Sequence, residues 1–259
     1  MRTCFITCLF LSILAYSCHS SSGKPKPEKI ILGTSKRVNK PAVKAKELKP
    51  VLGHRFVITG DFDGDGKKET LTEHFISGID HKETNKFYEN GNYDTLVKLT
   101  NQKKPYCFIS CDNKEIKNLE IATKQQLGIA YMKNEGDLDG DGADEISYVV
   151  DWADWSSVNF CNVMTYKNNK WKLLYTFEIR DWQVPDLPQT YNQYSGFGLQ
   201  DRIVNTTNDT ANKKIEKNLD DFKGFVKKIA NNKIQIIHVN NEAAVDTTII
   251  DLKKLPKKK

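Results

Sequence analysis

A ten-residue segment that occurs twice is the feature of this sequence that most restricts its fold. Residues 60–69 read GDFDGDGKKE and residues 136–145 read GDLDGDGADE, and the copies agree at eight of ten positions when Phe62 and Leu138 are counted as equivalent apolar residues. The glycines permit the positive φ angles of a sharp turn, and the flanks of both copies have the composition of strands. Each copy is therefore predicted to form a tight loop between two strands.

The spacing of the acids in these loops predicts two metal sites. Carboxylates at the first, third and fifth positions converge on one point when the chain turns sharply, an acid at the ninth position closes the shell, and the backbone carbonyl at the seventh adds a ligand. The predicted ligands are Asp61, Asp63, Asp65, Lys67 and Glu69 in loop 1 (residues 61–69) and Asp137, Asp139, Asp141, Ala143 and Glu145 in loop 2 (residues 137–145). Lys67 and Ala143 contribute only their carbonyls. Such an all-oxygen ligand set favours Ca²⁺ over Zn²⁺ or Cu²⁺, so two calcium ions are predicted, with a structural role.

The two loops resemble the FG-GAP, or integrin-α-like (VCBS-type), calcium repeat. Its pattern is an apolar strand, Gly-Asp-apolar-Asp-Gly-Asp-Gly, two residues, an acid and a second apolar strand; both copies follow it, with Glu69 and Glu145 where the family usually has Asp. They are not EF-hand loops, because Thr72 and Tyr148 stand at the twelfth position, where an EF-hand has Glu. The resemblance implies that each loop joins neighbouring strands of a β-propeller blade and that ligands bind to a face of the propeller.

The rest of the body indicates an all-β fold. Apolar and polar residues alternate, with many β-branched and aromatic side chains, in residues 146–152 and 233–239. Further predicted strands are residues 56–59, 70–77, 95–100, 106–110, 128–132, 159–167, 171–179, 224–229 and 246–251. Pairs of Asn between strands favour hairpin turns, and only residues 212–222 have helical spacing. We expect antiparallel hairpins in a propeller-like arrangement of few blades, with a β-sandwich carrying calcium loops as the alternative.

Residues 1–17 are typical of a signal peptide. Arg2 precedes an apolar run that is too short to span a bilayer, and small residues stand just before Cys18. Cleavage at this point leaves Cys18 first, which resembles the bacterial lipoprotein signal and implies a lipid on that cysteine and attachment to a membrane. Residues 18–50, rich in Lys, Pro and Ser, are predicted to form a disordered tether.

The expected layout continues with a calcium-binding β-domain at residues 51–252 and a basic tail at residues 253–259. The expected location is the bacterial cell envelope, as an outer-membrane or periplasm-facing lipoprotein. Ordinary secretion is the alternative.

The distribution of charge argues against a nucleic-acid partner. Residues 19–50 carry a net charge of +7, the tail adds +5 and Arg2 adds +1. The whole-chain charge of +6 therefore leaves −7 on residues 51–252. A nucleic-acid-binding surface needs clustered Lys and Arg on the folded body, and this body is acidic.

Three cysteines lie in the body: Cys107, Cys111 and Cys161. Cys107 and Cys111 on one strand would be about 13 Å apart at roughly 3.3 Å per residue, which is beyond the reach of a disulfide. A bond between one of them and Cys161 is therefore the better prediction.

Three tryptophans near acids are candidates for ligand binding: Trp152, Trp155 and Trp182. Trp152 fits core packing better, because it continues the inward face of a strand, and Trp155 is expected to be exposed. Motifs of hydrolases, zinc proteases and phosphate-binding loops are missing from the sequence, so no enzymatic activity is expected.

The leading hypothesis for function is a surface or periplasmic binding or adhesion module with a protein or glycan ligand. The first alternative is a carbohydrate-binding component of a glycan-processing system, which rests on the three tryptophans. A second, a calcium-using hydrolase, needs a further pair of acids in a cleft outside both loops.

Overall fold

A computed structural model of the 259-residue chain provides the structure. It describes residues 49–51, 54–83, 87–89, 93–122, 125–187, 193–194, 203–204, 209–240 and 242–255. The predicted signal peptide, Cys18, the tether up to residue 48 and the end of the basic tail lie outside the described residues.

Most of the regular elements in the described residues are strands. They are β1 (Lys49–Val51), β2 (Val57–Gly60), β3 (Glu69–Ile76), β4 (Phe87–Glu89), β5 (Tyr106–Cys111), β6 (Leu119–Ala122), β7 (Gln126–Gly136), β8 (Glu145–Trp152), β9 (Val158–Tyr166), β10 (Trp171–Arg180), β11 (Gln193–Tyr194), β12 (Ile203–Val204), β13 (Val226–Ala230), β14 (Lys233–Val239) and β15 (Val245–Asp251). The helices are α1 (Tyr93–Gln102) and α2 (Asp209–Asp221), with 3₁₀ turns at Asp181–Gln183 and Leu252–Lys254.

Every strand pairing in the described residues is antiparallel. The first sheet has the order β2-β3-β5-β6, the second β7-β8-β9-β10 and the third β13-β14-β15, and two-stranded pairs join β1 to β4 and β11 to β12. Successive strands are neighbours because short turns connect them, as between β9 and β10, where Asn168 and Asn169 adopt φ angles of 56° and 58°. The all-β prediction with antiparallel hairpins is confirmed.

The second sheet is buried on both faces, because the first sheet packs on one side of it and the third on the other. The first core consists of Phe56, Phe62, Leu71, Phe75, Cys107, Ile109, Ile116 and Leu119 with Ile129, Met132, Ile146, Tyr148, Val150, Met164 and Tyr166 of the second sheet. The second core consists of Tyr131, Leu138, Val149, Cys161, Val163, Phe177 and Ile179 with Phe225, Val226, Ile234 and Ile236. This stacking of sheets fits the β-sandwich alternative, and the described residues do not confirm a propeller.

One predicted strand is wrong. Residues 95–100 belong to helix α1, not to a strand. The β-branched residues Thr95 and Val97 favour a strand locally, but Leu96 and Thr100, four residues apart, are the positions that become buried. That spacing places both on one helical face, and tertiary burial decides against the local preference. The predicted helix at residues 212–222 is confirmed as α2, which begins earlier, at Asp209, and ends one residue earlier, at Asp221.

The predicted disulfide is also wrong. No disulfide joins any two of Cys107, Cys111 and Cys161. Cys107 and Cys111 lie on β5, as their spacing required. Cys107 belongs to the first core and Cys161 to the second, on the other face of the second sheet. The end of the predicted tether is corrected too, because Lys49 and Pro50 form part of strand β1.

Candidate metal centre

Both Asp-rich loops close β-hairpins. Loop 1 connects β2 to β3, with Gly60 paired to Glu69, and loop 2 connects β7 to β8, with Gly136 paired to Glu145. The predicted arrangement of strand, loop and strand is therefore present in both copies.

The two loops have the same internal hydrogen bonds. In each loop, the Asp at the first position accepts hydrogen bonds from two backbone N–H groups. The Asp at the third position and the Asp at the fifth position each accept one from the N–H two residues further along the chain. The Glu at the ninth position accepts one from the N–H of the second position. In loop 1 these bonds are Gly64 N to Asp61 Oδ1 (2.9 Å), Gly66 N to Asp61 Oδ2 (2.9 Å), Asp65 N to Asp63 Oδ1 (3.1 Å), Lys67 N to Asp65 Oδ1 (2.8 Å) and Phe62 N to Glu69 Oε2 (2.9 Å). In loop 2 they are Gly140 N to Asp137 Oδ1 (2.5 Å), Gly142 N to Asp137 Oδ2 (3.3 Å), Asp141 N to Asp139 Oδ1 (3.1 Å), Ala143 N to Asp141 Oδ1 (3.1 Å) and Leu138 N to Glu145 Oε2 (2.6 Å). The sequence repeat is thus a structural repeat.

Loop 1 brings its four predicted carboxylate ligands together. Asp61, Asp63, Asp65 and Glu69 each place one oxygen within 4.8 Å of the others. The ammonium group of Lys67 lies beside this cluster, where Nζ contacts Asp65 Oδ2 at 2.8 Å. The hydrogen bonds from Lys67 lower the pKa of Asp65, so this carboxylate favours its ionised form, although a metal ion would have to compete with the Lys67 ammonium for Oδ2. The group could hold one metal ion.

Loop 2 brings together three of its four predicted carboxylates. Asp137, Asp139 and Glu145 each place one oxygen within 4.8 Å of the others, but Asp141 does not join them. Its Oδ2 accepts a hydrogen bond of 2.6 Å from Lys167 Nζ, at the end of the β9–β10 hairpin. Burial acts to raise the pKa of Asp141, but the bonds from Lys167 and the Ala143 N–H outweigh it, and the pKa is lowered. Loop 2 is therefore the poorer ligand set as it stands.

Glu145 is the most enclosed of the predicted ligands. Its side chain has no exposed surface, and within the described residues Oε1 has no hydrogen-bond partner. Burial raises its pKa to about 7, against the opposing effect of the Leu138 N–H. The Thr165 hydroxyl lies near enough to lower that pKa but does not meet the geometry of a hydrogen bond, and Oγ1 is itself without a partner among the described residues. Glu69 is nearly as buried, and burial raises its pKa too.

The seventh positions differ in their surroundings. Lys67 is exposed, whereas Ala143 is 4% exposed and lies against Gly64 of loop 1. That the backbone carbonyls of Lys67 and Ala143 bind a metal ion stays a prediction.

Loop 2 also contacts the third sheet through its backbone carbonyls. The Asn232 N–H donates to Leu138 O at 2.8 Å, the Asn232 side chain donates to Asp139 O, and Lys228 Nζ donates to Asp137 O. The hairpin turn between β13 and β14 therefore holds the first three residues of loop 2 in place. These partners lie about ninety residues away along the chain, and nothing in the sequence marked them.

The two loops contact each other directly. Asp144 at the eighth position of loop 2 exchanges two hydrogen bonds with Asp61, the first ligand of loop 1. Asn113 from the β5–β6 connection adds a bond of 3.3 Å to Asp63 Oδ2. An extra acid at Asp144, where loop 1 has Lys68, was the only sign of this contact in the sequence.

The three tryptophans are not equivalent. Trp152, at the end of β8, is partly buried against the first core. Trp155 and Trp182 are 57% and 62% exposed. They follow strands that end at the same edge of the second sheet, where the Asp181 N–H donates to Ser157 O at 3.1 Å. Burial raises the pKa of Asp181 there, against the opposing hydrogen bond from Asn159, and the nearby Asp154 carboxylate raises it further.

Comparison of the chain with models of known protein families, with curated proteins and with solved structures gives no match. No helix in the described part of the chain has both the length and the apolar content needed to cross a bilayer.

Proposed function

We propose that the protein is an exported β-domain that binds two Ca²⁺ ions, one in each loop, and acts as a binding module of the bacterial cell envelope without chemistry of its own. The observation that carries the calcium assignment is the Glu145 carboxylate. It is fully buried with Oε1 unpartnered among the described residues, and it faces Asp137 and Asp139. A buried, ionised carboxylate is costly without a partner, and a cation where these oxygens meet supplies one.

Calcium fits these residues better than other common metals. Every side-chain ligand is a carboxylate, and neither loop holds a Cys or His that would favour zinc or copper. Ca²⁺ accepts six to eight oxygens in flexible geometry, whereas Mg²⁺ needs a near-octahedral shell and keeps several waters. Four crowded carboxylates in loop 1 suit the larger ion.

The proposed role of the ions is to stabilise the fold. Each loop closes a hairpin, and loop 2 contacts both loop 1 and the turn of the third sheet, so an ion there acts where all three sheets are joined. Extracellular sites of this sort bind with a Kd on the order of 10⁻⁴ to 10⁻³ M, which suits a protein exported to a calcium-containing medium.

Export and anchoring rest on the sequence. Residues 1–17 and Cys18 provide the signal and the lipid attachment point in this proposal. The test is the mass of the mature N-terminus together with cell fractionation: Cys18→Ser should move the protein from the membrane fraction to the soluble fraction. An unmodified Cys18 in the wild type would favour simple secretion.

A carbohydrate-binding role is the second candidate, favoured by one observation. Trp155 and Trp182 expose their rings at one edge of the second sheet, close to Asp154 and Asp181. Aromatic faces stack on sugar rings while carboxylates accept bonds from hydroxyls. A glycan array compares the wild type with a Trp155→Ala, Trp182→Ala double variant. Binding that the variant loses supports this role, and no binding by the wild type excludes it.

Calcium binding is tested by calorimetric titration of Ca²⁺ into chelator-treated protein. We expect two ions per chain and a rise in melting temperature with calcium. The Asp63→Ala, Asp139→Ala double variant should lose both ions and the temperature shift. No heat of binding and no shift in the wild type would refute the proposal.

A further inference from the structure

Asp144 joins the two metal loops across 83 positions of the chain. Its N–H donates to Asp61 O at 2.6 Å, and its Oδ2 accepts from the Asp61 N–H at 3.2 Å. Both backbone polar groups of the first ligand residue in loop 1 are thus bonded to one residue of loop 2. The Asp61 side chain then accepts the N–H groups of Gly64 and Gly66, which fix the turn of loop 1.

Asn134 fixes the other side of this contact. Its Nδ2 donates to Asp144 Oδ2 at 2.8 Å and to Thr59 O at 3.0 Å, and its Oδ1 accepts from the Gly136 N–H at 2.7 Å. The same side chain therefore contacts the strand before loop 1 and the residue before loop 2.

The backbones approach closely at this point. A Cβ at Gly60 would lie 2.3 Å from Asn134 Nδ2 and 2.6 Å from Asp144 Oδ2, and one at Gly64 would lie 3.5 Å from the Ala143 Cβ. A shift of either loop therefore displaces atoms of the other, because the space between them is filled.

Asp144 does not belong to the carboxylate cluster of its own loop. It stands between Ala143 and Glu145, two predicted ligands of loop 2, so an ion in loop 2 restrains the backbone on both sides of it. The corresponding residue of loop 1, Lys68, is exposed. Only one of the two eighth positions makes the connection.

We infer that the two ions bind cooperatively, with Asp144 as the positioning residue that transmits the effect of one site to the other. This inference rests on the proposed calcium binding. An ion in loop 2 orders residues 143–145, and Asp144 then holds Asp61 in the position it takes as a ligand. Because coupling between sites is reciprocal, an ion in loop 1 raises the affinity of loop 2 by the same factor.

The expected coupling is about tenfold, within the range of about 5 to 150 that is common for linked sites. Two sites of equal affinity coupled tenfold would give a Hill coefficient of about 1.5, and the poorer ligand set of loop 2 brings the expected value below that. In single-site variants, Asp139→Asn should weaken the remaining loop 1 site about tenfold relative to its affinity when loop 2 is filled, and Asp63→Asn should do the same to loop 2.

The experiment is calcium titration of the full chain by calorimetry, for the wild type, these two variants, Asp144→Ala and the matched control Lys68→Ala. Asp144→Ala should bind two ions with a Hill coefficient of about 1 or lower, below that of the wild type. In the Asp144→Ala background, Asp139→Asn should no longer weaken loop 1. Lys68→Ala changes the same repeat position without touching the contact and should keep the wild-type cooperativity.

The outcomes separate the two proposals. No calcium binding by the wild type refutes the proposed function itself. Two ions that bind independently in the wild type, or undiminished cooperativity in Asp144→Ala, refute the coupling and leave calcium binding intact. If Asp144→Ala does not fold, the wild-type Hill coefficient and the reciprocal effects of Asp139→Asn and Asp63→Asn decide the question.

Discussion

Replacing Glu145 with Gln should stabilise the calcium-free protein and should reduce the stabilisation that calcium gives. In the calcium-free protein the carboxyl is fully buried, and burial raises its pKa from an ordinary value of 4.5 to about 7. Its protonated form therefore stabilises the fold below pH 4.5, and that contribution is lost as the pH rises through 7. The difference corresponds to about 3 kcal/mol at most.

At pH 8 in chelator the wild type bears the free-energy cost of a buried, ionised carboxylate, and Glu145→Gln does not. Gln has nearly the same shape and keeps an oxygen to accept the Leu138 N–H. We expect the variant to be more stable by about 1 to 3 kcal/mol, a rise in melting temperature of about 3 to 10 °C for a body of this size. At pH 5 the difference should largely disappear, because the wild-type carboxyl is then protonated.

Calcium should offset this stability advantage of the variant. At 10 mM Ca²⁺, a site with a Kd on the order of 10⁻⁴ to 10⁻³ M adds about 1.4 to 2.7 kcal/mol. The wild type gains this stabilisation from both loops, whereas Glu145→Gln gains it from loop 1 only. The calcium-induced rise in melting temperature should therefore be half as large or less in the variant. The assay is a set of melts at pH 5 and pH 8, in chelator and in calcium.

An exposed control, Glu242→Gln, should behave as the wild type in every condition. Two results would refute the reasoning. One is a Glu145→Gln variant that melts below the wild type in chelator at pH 8, since the carboxylate would then be stabilising without metal. The other is a full calcium shift in the variant, since Glu145 would then be no ligand.

Three further predictions follow from the structure. Lys167→Ala should raise the calcium affinity of loop 2 several-fold in calorimetry, because it releases Asp141. The control Lys170→Ala, at a neighbouring exposed position, should leave the affinity unchanged. Equal affinities in the two variants would show that the ion pair between Lys167 and Asp141 does not compete with the metal. Gly142→Ala should lower the free energy of unfolding in urea by about 1 to 2 kcal/mol. Its φ of 99° strains a residue that has a Cβ, although no atom of the described residues lies within 4 Å of an added Cβ. An unchanged value would mean that the loop relaxes. The Trp155→Ala, Trp182→Ala variant should unfold within about 0.5 kcal/mol of the wild type, because both rings are exposed, and a larger loss would assign them to packing.

The sequence was most informative where structure depends on neighbouring residues. The hairpin loops, their flanking strands and the acids that point inward are determined by spacing within ten residues and by glycines with positive φ, such as Gly64 at 77° and Gly140 at 84°. For the same reason β14 was predicted with its observed bounds. The period-two pattern of β8 fits its two buried faces, since Ile146 and Tyr148 enter the first core and Val149 the second.

Tertiary structure decided which of these local possibilities were realised. Helix α1 forms because Leu96 and Thr100 find buried positions on one helical face, against the local preference of Thr95 and Val97. No disulfide joins Cys107 to Cys161, because Cys107 lies in the first core and Cys161 lies in the second, on the other face of the second sheet.

The same is true of the metal loops. By itself the repeat predicts two equal sites, but Lys167 withdraws Asp141 from one of them, and Asp144 connects that loop to Asp61 in the other. These partners lie 26 and 83 residues apart in the chain. Composition and periodicity determine which faces of an element become buried, but they carry no information on which distant side chain will lie opposite, because that depends on how the three sheets stack.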